Sequence, residues 1–144
     1  MTSELRFGDH IQLLTGFPFR SGDYVQQGVR LLRGDNIAPG KLRWAAAKRL
    51  PEALAGEYGK YLLRAGDVVL AMDRPWIASG LKYAQIRDVD APSLLVQRVA
   101  RLRATGTLKQ RFLPYLIGSP QFAAYVRGVQ TGTGIPHISP SQIL

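Results

Sequence analysis

Short apolar runs broken by glycine and proline are the feature that most restricts how this chain can fold. Its 144 residues include 15 Gly and 9 Pro. The apolar runs between them, such as Trp44–Ala47 and Val68–Met72, are only a few residues long. Runs of this length form buried strands or short helices, whereas about 18 apolar residues are needed to cross a bilayer. The spacing therefore predicts one domain of short elements without a membrane span.

Turn signals divide the chain into extended and helical segments. Strands are expected at the end of Leu5–Leu14 and in Gly28–Arg33, Ile37–Trp44, Val68–Met72, Gly80–Arg87 and Ser93–Leu102. A short helix is expected in Pro51–Lys60, and a second helical segment in Leu108–Val129, broken at Gly118 and restarted with Ser119 as N-cap and Pro120 at the first position. The pattern predicts an α+β domain: a twisted, mostly antiparallel β-sheet with a short mid-chain helix and a helical segment near the C-terminus.

The charge balance points to a polyanionic partner. The chain has 14 Arg and 5 Lys against 10 acidic residues, a net charge of +9, and residues 91–144 contain no acid. Arginine offers a planar fork that matches phosphate and the guanine edge, and a field of this sign attracts nucleic acid. The simpler alternative is a GC-rich genome, which favours arginine, together with a solubilising surface. A membrane-surface helix is disfavoured because the basic residues do not lie on one amphipathic helix.

The sequence carries no recognisable catalytic signature. Without cysteine it has no disulfide, zinc ribbon or thiol nucleophile, which fits a cytoplasmic location, as does the lack of an apolar leader. The Gly132-Thr133-Gly134 segment lacks the third glycine of a dinucleotide loop. Asp88-x-Asp90 is interpreted as a solvated loop rather than a metal site, and His10 and His137 are the only histidines. We therefore expect no catalytic centre, metal or cofactor, with a small hydrolase as the open alternative.

Three glycine-containing loops with cationic and hydroxyl residues are the candidate binding elements. They are Thr15–Tyr24, Asp73–Lys82 and Gln130–Pro136. Glycine lets the backbone approach phosphate, while arginine and threonine supply donors. In the middle loop, Trp76 belongs either to the core or to a sugar and base contact, and Arg74 either pairs with an acid or contacts a base.

An ordered set of motifs along the chain resembles the target-recognition domain of type I restriction–modification specificity subunits. The matching pieces span nearly the whole chain and are Gly16-Phe17-Pro18-Phe19-Arg20-Ser21 with Tyr24, Gly28 through Leu32-Arg33-Gly34-Asp35-Asn36-Ile37 with Gly40, Tyr61 through Leu70, Gln97-Arg98-Val99, Ser119-Pro120-Gln121-Phe122, Gly132-Thr133, and Ile138-Ser139. Each piece alone is a loose match, and their order gives the resemblance its specificity.

The resemblance implies a division of labour. A domain of this family reads one half of a split target in duplex DNA and directs a methyltransferase (modification) subunit and, through it, a restriction subunit. A full member has two such domains joined by two long helices, which pack as a coiled coil, dock the methyltransferase subunits and fix the spacing between half-sites.

The chain departs from that pattern because it ends at Ser141–Leu144, where the long helix would begin. We expect residues 1–144 to be a single recognition domain, with the spacer helix and second recognition domain absent, and to be monomeric. An excised domain, a truncated product and a stand-alone half-subunit with a regulatory role are alternatives that the sequence leaves open.

The candidate DNA contacts are basic or hydroxyl side chains in the loops and strand ends. They are Arg20, Lys41, Arg43, Arg74, Lys82, Arg98, Thr131 and Thr133. Arg98 has a competing role, since it could pair internally with an acid. An RNA-binding or protein-interaction module is the remaining rival to duplex DNA recognition.

Overall fold

The computed structural model describes residues 7–129, 138 and 140–144. Within them the strands, numbered along the chain, are β1 (Ile11–Thr15), β2 (Val29–Leu32), β3 (Ile37–Ala38), β4 (Lys41–Leu42), β5 (Arg49–Leu50), β6 (Leu62–Leu63), β7 (Val68–Ala71), β8 (Trp76–Ile77), β9 (Gly80–Leu81), β10 (Tyr83–Gln85), β11 (Ser93–Leu95) and β12 (Val99–Ala104). The α-helices are α1 (Glu52–Ala55), α2 (Leu113–Ile117), α3 (Pro120–Val129) and α4 (Pro140–Ile143). Short 3-10 helices occupy Phe7–Asp9, Ser21–Asp23, Gly34–Asn36, Gly56–Tyr61, Asp88–Asp90 and Gln110–Phe112.

Two four-stranded sheets form the frame of the described part of the domain. Sheet I has the order β1-β12-β7-β10 and is antiparallel throughout. Sheet II has the order β5-β2-β11-β6, and its central pair, β2 and β11, is parallel. Two small hairpins, β3-β4 and β8-β9, stand outside these sheets.

Alternation along β7 shows how the layers stack. Val68 and Leu70 pack with the hydrophobic cluster that also holds α2, α3 and α4. Val69 and Ala71 point the other way and pack with residues of sheet II. All four side chains are fully buried, because successive side chains of a strand face opposite sides and both sides of sheet I are covered. This double burial explains why β7 is a continuous apolar run rather than an alternating one.

The remaining face of sheet II is covered by α1 and an aromatic loop. Leu31 and Leu94 share a buried cluster with Ala55 of α1 and with Phe19. The order of layers is therefore helices, sheet I, sheet II, and then α1 with the aromatic loop.

The break in the C-terminal helical segment follows the predicted cap. The Ser119 hydroxyl oxygen accepts a hydrogen bond from the Phe122 backbone N–H at 3.2 Å, and α3 begins at Pro120. The capping hydroxyl satisfies an N–H that has no partner inside the helix, and proline at the first turn loses no helical hydrogen bond. The predicted α+β class, mid-chain helix and C-terminal helical segment are confirmed, although the strands form two main sheets rather than one.

The expected strand Ser93–Leu102 is wrong as a single element. The chain turns at Gln97 and Arg98 and passes from sheet II to sheet I. Two long-range hydrogen bonds hold this turn: the Gln97 N–H donates to the Phe17 carbonyl at 3.0 Å, and the Met72 N–H donates to the Arg98 carbonyl at 3.0 Å. Tertiary contacts thus override a local pattern that favours continuous extension. The expected strand Gly80–Arg87 is likewise divided, into β9 and β10.

Asp90 is buried, which corrects its interpretation as a solvated loop carboxylate. Trp44 donates to it from Nε1 at 2.8 Å, and Arg87 donates from its backbone N–H at 2.9 Å and from Nε at 3.1 Å. Burial would raise the pKa of Asp90, but these hydrogen bonds outweigh it and hold the pKa below its ordinary value. Asp88 remains exposed, so the pair has a structural member and a solvated one.

Candidate nucleic-acid interface

One edge of the domain gathers the ends of five strands. Because β2 and β11 are parallel, both end at this edge. The turn after β11 leads into the start of β12, which lies beside the end of β7 through the pairing of Val99 with Ala71. The end of β7 also lies beside the start of β10, since Leu70 pairs with Tyr83. Residues just outside these strand ends are therefore brought together although they are far apart in sequence.

A groove at this edge is rich in cations, and we name it the basic groove. Its charged and polar lining side chains are Tyr24, Arg33, Asp35, Asp73, Arg74, Lys82, Gln97 and Arg98. Four of these are cations and two are acids, and they come from five separate stretches of the chain. The groove is open rather than enclosed, as a surface that admits a macromolecule must be.

Each acid of the basic groove is paired with one of its arginines. Arg98 Nη1 lies 3.0 Å from Asp73 Oδ2, and Arg33 Nη2 lies 3.5 Å from Asp35 Oδ2. The first pair has hydrogen-bond geometry, whereas the second is longer, and Asp35 is 82% exposed. Within the described residues no ion pair involves Arg74. The expected alternatives are thus answered separately: Arg98 does pair with an acid, but at the surface, and Arg74 does not.

Lys82 lines the basic groove and interacts electrostatically with Asp35, Asp73 and Arg74. Burial lowers the pKa of Lys82 below its ordinary value, and the nearby Arg74 lowers it further, while Asp35 and Asp73 oppose the shift. An anion placed in the groove would reverse this effect, because an added negative charge favours the protonated amine.

Two residues of the basic groove hold an unusual backbone conformation. Arg74 has a φ of 47° and Arg98 a φ of 65°, a left-handed region that is uncommon outside glycine, asparagine and aspartate. Such conformations cost free energy and concentrate at functional sites. Both arginines occupy turns that connect different sheets or hairpins, so their side chains project from the strand ends.

The structure brings together three of the six predicted contact residues that it describes. Arg74, Lys82 and Arg98 line the basic groove. Arg20 lies outside it, beside an aromatic pocket. Lys41 and Arg43 are exposed at the β3-β4 hairpin and do not line the groove. Thr131 and Thr133 lie outside the described residues.

Trp76 belongs to the edge of the core. It packs against the cluster beneath sheet I, and the Arg127 guanidinium lies 4.9 Å from its ring centroid. The packing agrees with the interpretation of Trp76 as a core residue, and nothing among the described residues around it supports a contact with sugar or bases.

Two arginines of the acid-free stretch 91–144 are not freely exposed, since Arg101 is buried and Arg103 is half-buried. Arg103 makes a two-point contact with buried Asp67, at 2.6 Å from Nε and 2.9 Å from Nη2, and this contact raises the pKa of Arg103. Arg101 is 6% exposed, and its Nε finds no hydrogen-bond partner among the described residues. Burial lowers the pKa of Arg101, and the nearby Arg103 adds to this effect. The electrostatic attraction of the surface therefore comes from fewer residues than composition indicates.

Sequence reasoning missed five of the eight charged and polar lining residues, namely Tyr24, Arg33, Asp35, Asp73 and Gln97. Arg33 directly follows β2 and Gln97 follows β11. A signal was available, since both precede or form turns at strand ends. It acquires meaning only once the parallel pairing of β2 with β11 is known, and that pairing is not readable from either segment alone.

The described residues show neither a membrane-spanning helix nor a metal-binding cluster. None of the described helices is long and apolar enough to cross a bilayer. In the described part of the chain, no three histidine, aspartate or glutamate side chains are grouped so that they could hold a metal ion.

Comparison with curated proteins confirms the resemblance seen in the motifs. The chain is 36% identical over 141 residues to the type I restriction enzyme EcoAI specificity subunit of Escherichia coli, covering 96% of this chain and 23% of that protein. It is 32% identical over 135 residues to the type I restriction enzyme MjaVIII specificity subunit of Methanocaldococcus jannaschii, covering 93% of this chain and 32% of that one. No protein-family model matches the chain.

The fold also has a counterpart among solved structures. A chain from a structure of a type I restriction–modification system, described for its assembly and conformational transition, superposes with a TM-score of 0.62 at 15% identity. The match covers 96% of this chain and 31% of that chain. At this identity the likeness establishes the fold alone.

These matches first define a class: an α+β domain related to components of type I restriction enzymes. Within that class the chain is homologous to the specificity subunit. It spans about a quarter to a third of the length of the two specificity subunits it matches.

Proposed function

We propose that this domain reads a short sequence in duplex DNA and so selects the target of a type I restriction–modification complex. The observation that carries the proposal is the basic groove, in which Arg33, Arg74, Lys82 and Arg98 converge at one edge of the two sheets. Homology to specificity subunits supports target recognition as the purpose of this surface.

The chemistry of the groove suits a duplex better than a small ligand. Arginine forks donate to phosphate oxygens and to the guanine edge, and the exposed Gln97 amide can pair with adenine. The groove is open and polar, whereas small-molecule sites are concave and mostly apolar. A DNA backbone crossing this edge would meet cations from both sheets at once.

We propose that the catalytic steps of modification and restriction are carried out by other subunits. The domain would read one half of a bipartite target and act with a methyltransferase subunit and, through it, a restriction subunit, within the cytoplasm. It would contribute specificity and no catalytic residue. Because only half of a split site would be bound, the isolated domain is expected to bind weakly, and a second linked domain would raise the overall affinity by acting as a locally concentrated partner.

Duplex binding should depend steeply on salt. Four cations line the basic groove. For each phosphate that a cation neutralises, counterions are released, and the logarithm of the association constant falls with the logarithm of the salt concentration with a slope of about −0.9. We therefore expect a slope of about −3 to −4 for the affinity of the isolated domain, measured by fluorescence anisotropy on a labelled duplex, with the smaller value if one of the four cations contacts a base rather than a phosphate.

The same titration separates duplex DNA from other partners. Unlabelled structured RNA should compete less well than unlabelled duplex DNA of equal length. A flat salt response, or equal competition by RNA, would count against the proposal.

A further inference from the structure

We propose that Arg98 is a base-reading residue for a G·C pair and that Asp73 is the positioning residue that aims it. The inference rests on the proposed DNA-binding function and assigns a specificity-determining pair within the basic groove. The observation behind it is the ion pair of Arg98 Nη1 with Asp73 Oδ2 at 3.0 Å, at the tip of the turn between β11 and β12.

The Arg98 side chain is presented outward yet restrained. It is 68% exposed, so its guanidinium is accessible to a ligand in the groove. The bond to Asp73 uses one N–H of Nη1. Among the described residues, the guanidinium makes no other hydrogen bond. The Nε and Nη2 donors remain available on one edge of the planar group, and two parallel donors of this kind suit a two-point contact to guanine O6 and N7.

The backbone beneath the pair is fixed from both sides. The Arg98 carbonyl accepts a hydrogen bond from Met72, the residue before Asp73, and the Gln97 N–H donates to Phe17. The left-handed φ of 65° at Arg98 is held by these contacts. The turn that carries the arginine and the segment that carries the carboxylate therefore form one unit, so that the direction of the guanidinium is set before DNA arrives. Such preorganisation reduces the entropy cost of binding.

A carboxylate beside a DNA-binding groove is unfavourable on electrostatic grounds alone. Asp73 repels phosphate and weakens nonspecific attraction. The position of Asp73 against Arg98 has a function if the carboxylate orients the guanidinium. A freely rotating arginine would contact phosphates and base edges alike. Asp35 offers a contrast, because it is 82% exposed and lies 3.5 Å from Arg33, a loose surface pair.

The test measures affinity and discrimination separately. Duplexes bound by the wild-type domain are selected from a pool with a randomised central block, and the selected motif is then varied one base pair at a time. Four forms of the chain are compared on this panel and on an unselected random duplex: the wild type, Arg98→Lys, Asp73→Asn and Asp35→Asn. Thermal unfolding of each form reports whether the fold is kept.

Arg98→Lys keeps the charge but loses the fork, and Asp73→Asn removes the restraint and a negative charge together. Both variants should lose discrimination at the same G·C pair by about tenfold or more, the value of a two-point base contact. Asp73→Asn should bind the random duplex as tightly as the wild type or more tightly. Asp35→Asn makes the same charge change in the same groove at an acid that does not contact Arg98. Its loss of discrimination at this G·C pair should therefore be smaller than that of Asp73→Asn.

The outcomes test the roles of Arg98 and Asp73 separately from the proposed DNA-binding function. A wild-type domain that selects no motif overturns both. A wild type that selects a motif, with Asp73→Asn discriminating as well as Asp35→Asn does, overturns the role of Asp73 alone. If Arg98→Lys also keeps full discrimination, Arg98 contacts phosphate and reads no base. A general loss of fold in Asp73→Asn, with discrimination kept by Arg98→Lys, would assign the ion pair to stability.

Discussion

Replacing Arg103 with methionine should lower the free energy of unfolding by about 3 kcal/mol, the lower end of what is measured when one partner of a buried ion pair is removed. Asp67 is 2% exposed, and its two carboxylate oxygens accept from Nε and Nη2 of Arg103. Methionine covers the same apolar surface but leaves the carboxylate buried without its counter-charge. A domain stabilised by about 5–15 kcal/mol would lose a large share of its stability. Urea denaturation followed by circular dichroism measures the change.

The matched control is the same substitution in an exposed pair. Arg33→Met removes the partner of Asp35, which is 82% exposed at a separation of 3.5 Å. Its effect should stay under about 1 kcal/mol, because water screens a surface pair. Equal losses in the two variants would show that burial of Asp67 does not govern the energetics of its pair.

Reversing two charges in the basic groove should nearly abolish DNA binding. The variant Arg74→Glu with Lys82→Glu changes four units of charge where the phosphates are proposed to lie. At about 4 Å in water each unit contributes about 1 kcal/mol, and salt screens part of this. A loss of about a hundredfold in affinity for a labelled duplex is therefore expected, since every 1.4 kcal/mol corresponds to about tenfold.

The control for this variant changes the net charge by the same amount but at residues outside the groove. Lys60→Glu with Lys109→Glu alters two exposed residues that do not line the basic groove. Each pair of reversals lowers the net charge of +9 to +5. If a general attraction between a basic protein and DNA drives binding, the two variants should bind DNA equally weakly. If binding occurs at the basic groove, the groove variant should have a far lower affinity than the control.

The elements that were predictable are those with strong local signals. Val68–Met72, Pro39-Gly40 and Ser119-Pro120 each combine a pattern with a physical reason that depends on neighbouring residues only. Ser119 shows the principle: a hydroxyl directly before a proline favours a helix start through contacts within a single turn.

The elements that were not predictable depend on distant contacts. The turn at Gln97-Arg98 contains neither glycine nor proline, and its hydrogen bonds come from Phe17 and Met72. Gly16 has a role that no local pattern reveals: a Cβ on it would lie 2.1 Å from the Val96 carbonyl oxygen. That close approach allows the loop after β1 to lie against the end of β11, beside the basic groove.

The candidate site was predictable in its chemistry and only partly in its membership. Composition indicates arginines, and motif order indicates DNA, but neither shows which cations converge. Arg33 joins Arg98 because β2 and β11 are parallel, a pairing that is set by the whole fold. Arg101 and Arg103 carry the same charge as the groove arginines, yet Arg101 is buried and the half-buried Arg103 is bound to Asp67, so neither is freely available at the surface.

Selection from a randomised duplex pool at two salt concentrations tests the central claim most directly. If the domain recognises a sequence, the same short motif is enriched at both concentrations, while the total amount of bound DNA falls at the higher one. Base contacts carry the sequence preference, and phosphate contacts carry most of the salt dependence. A pool that remains unenriched at both concentrations, with binding that merely weakens as salt rises, would contradict the claim and leave a basic surface without sequence recognition.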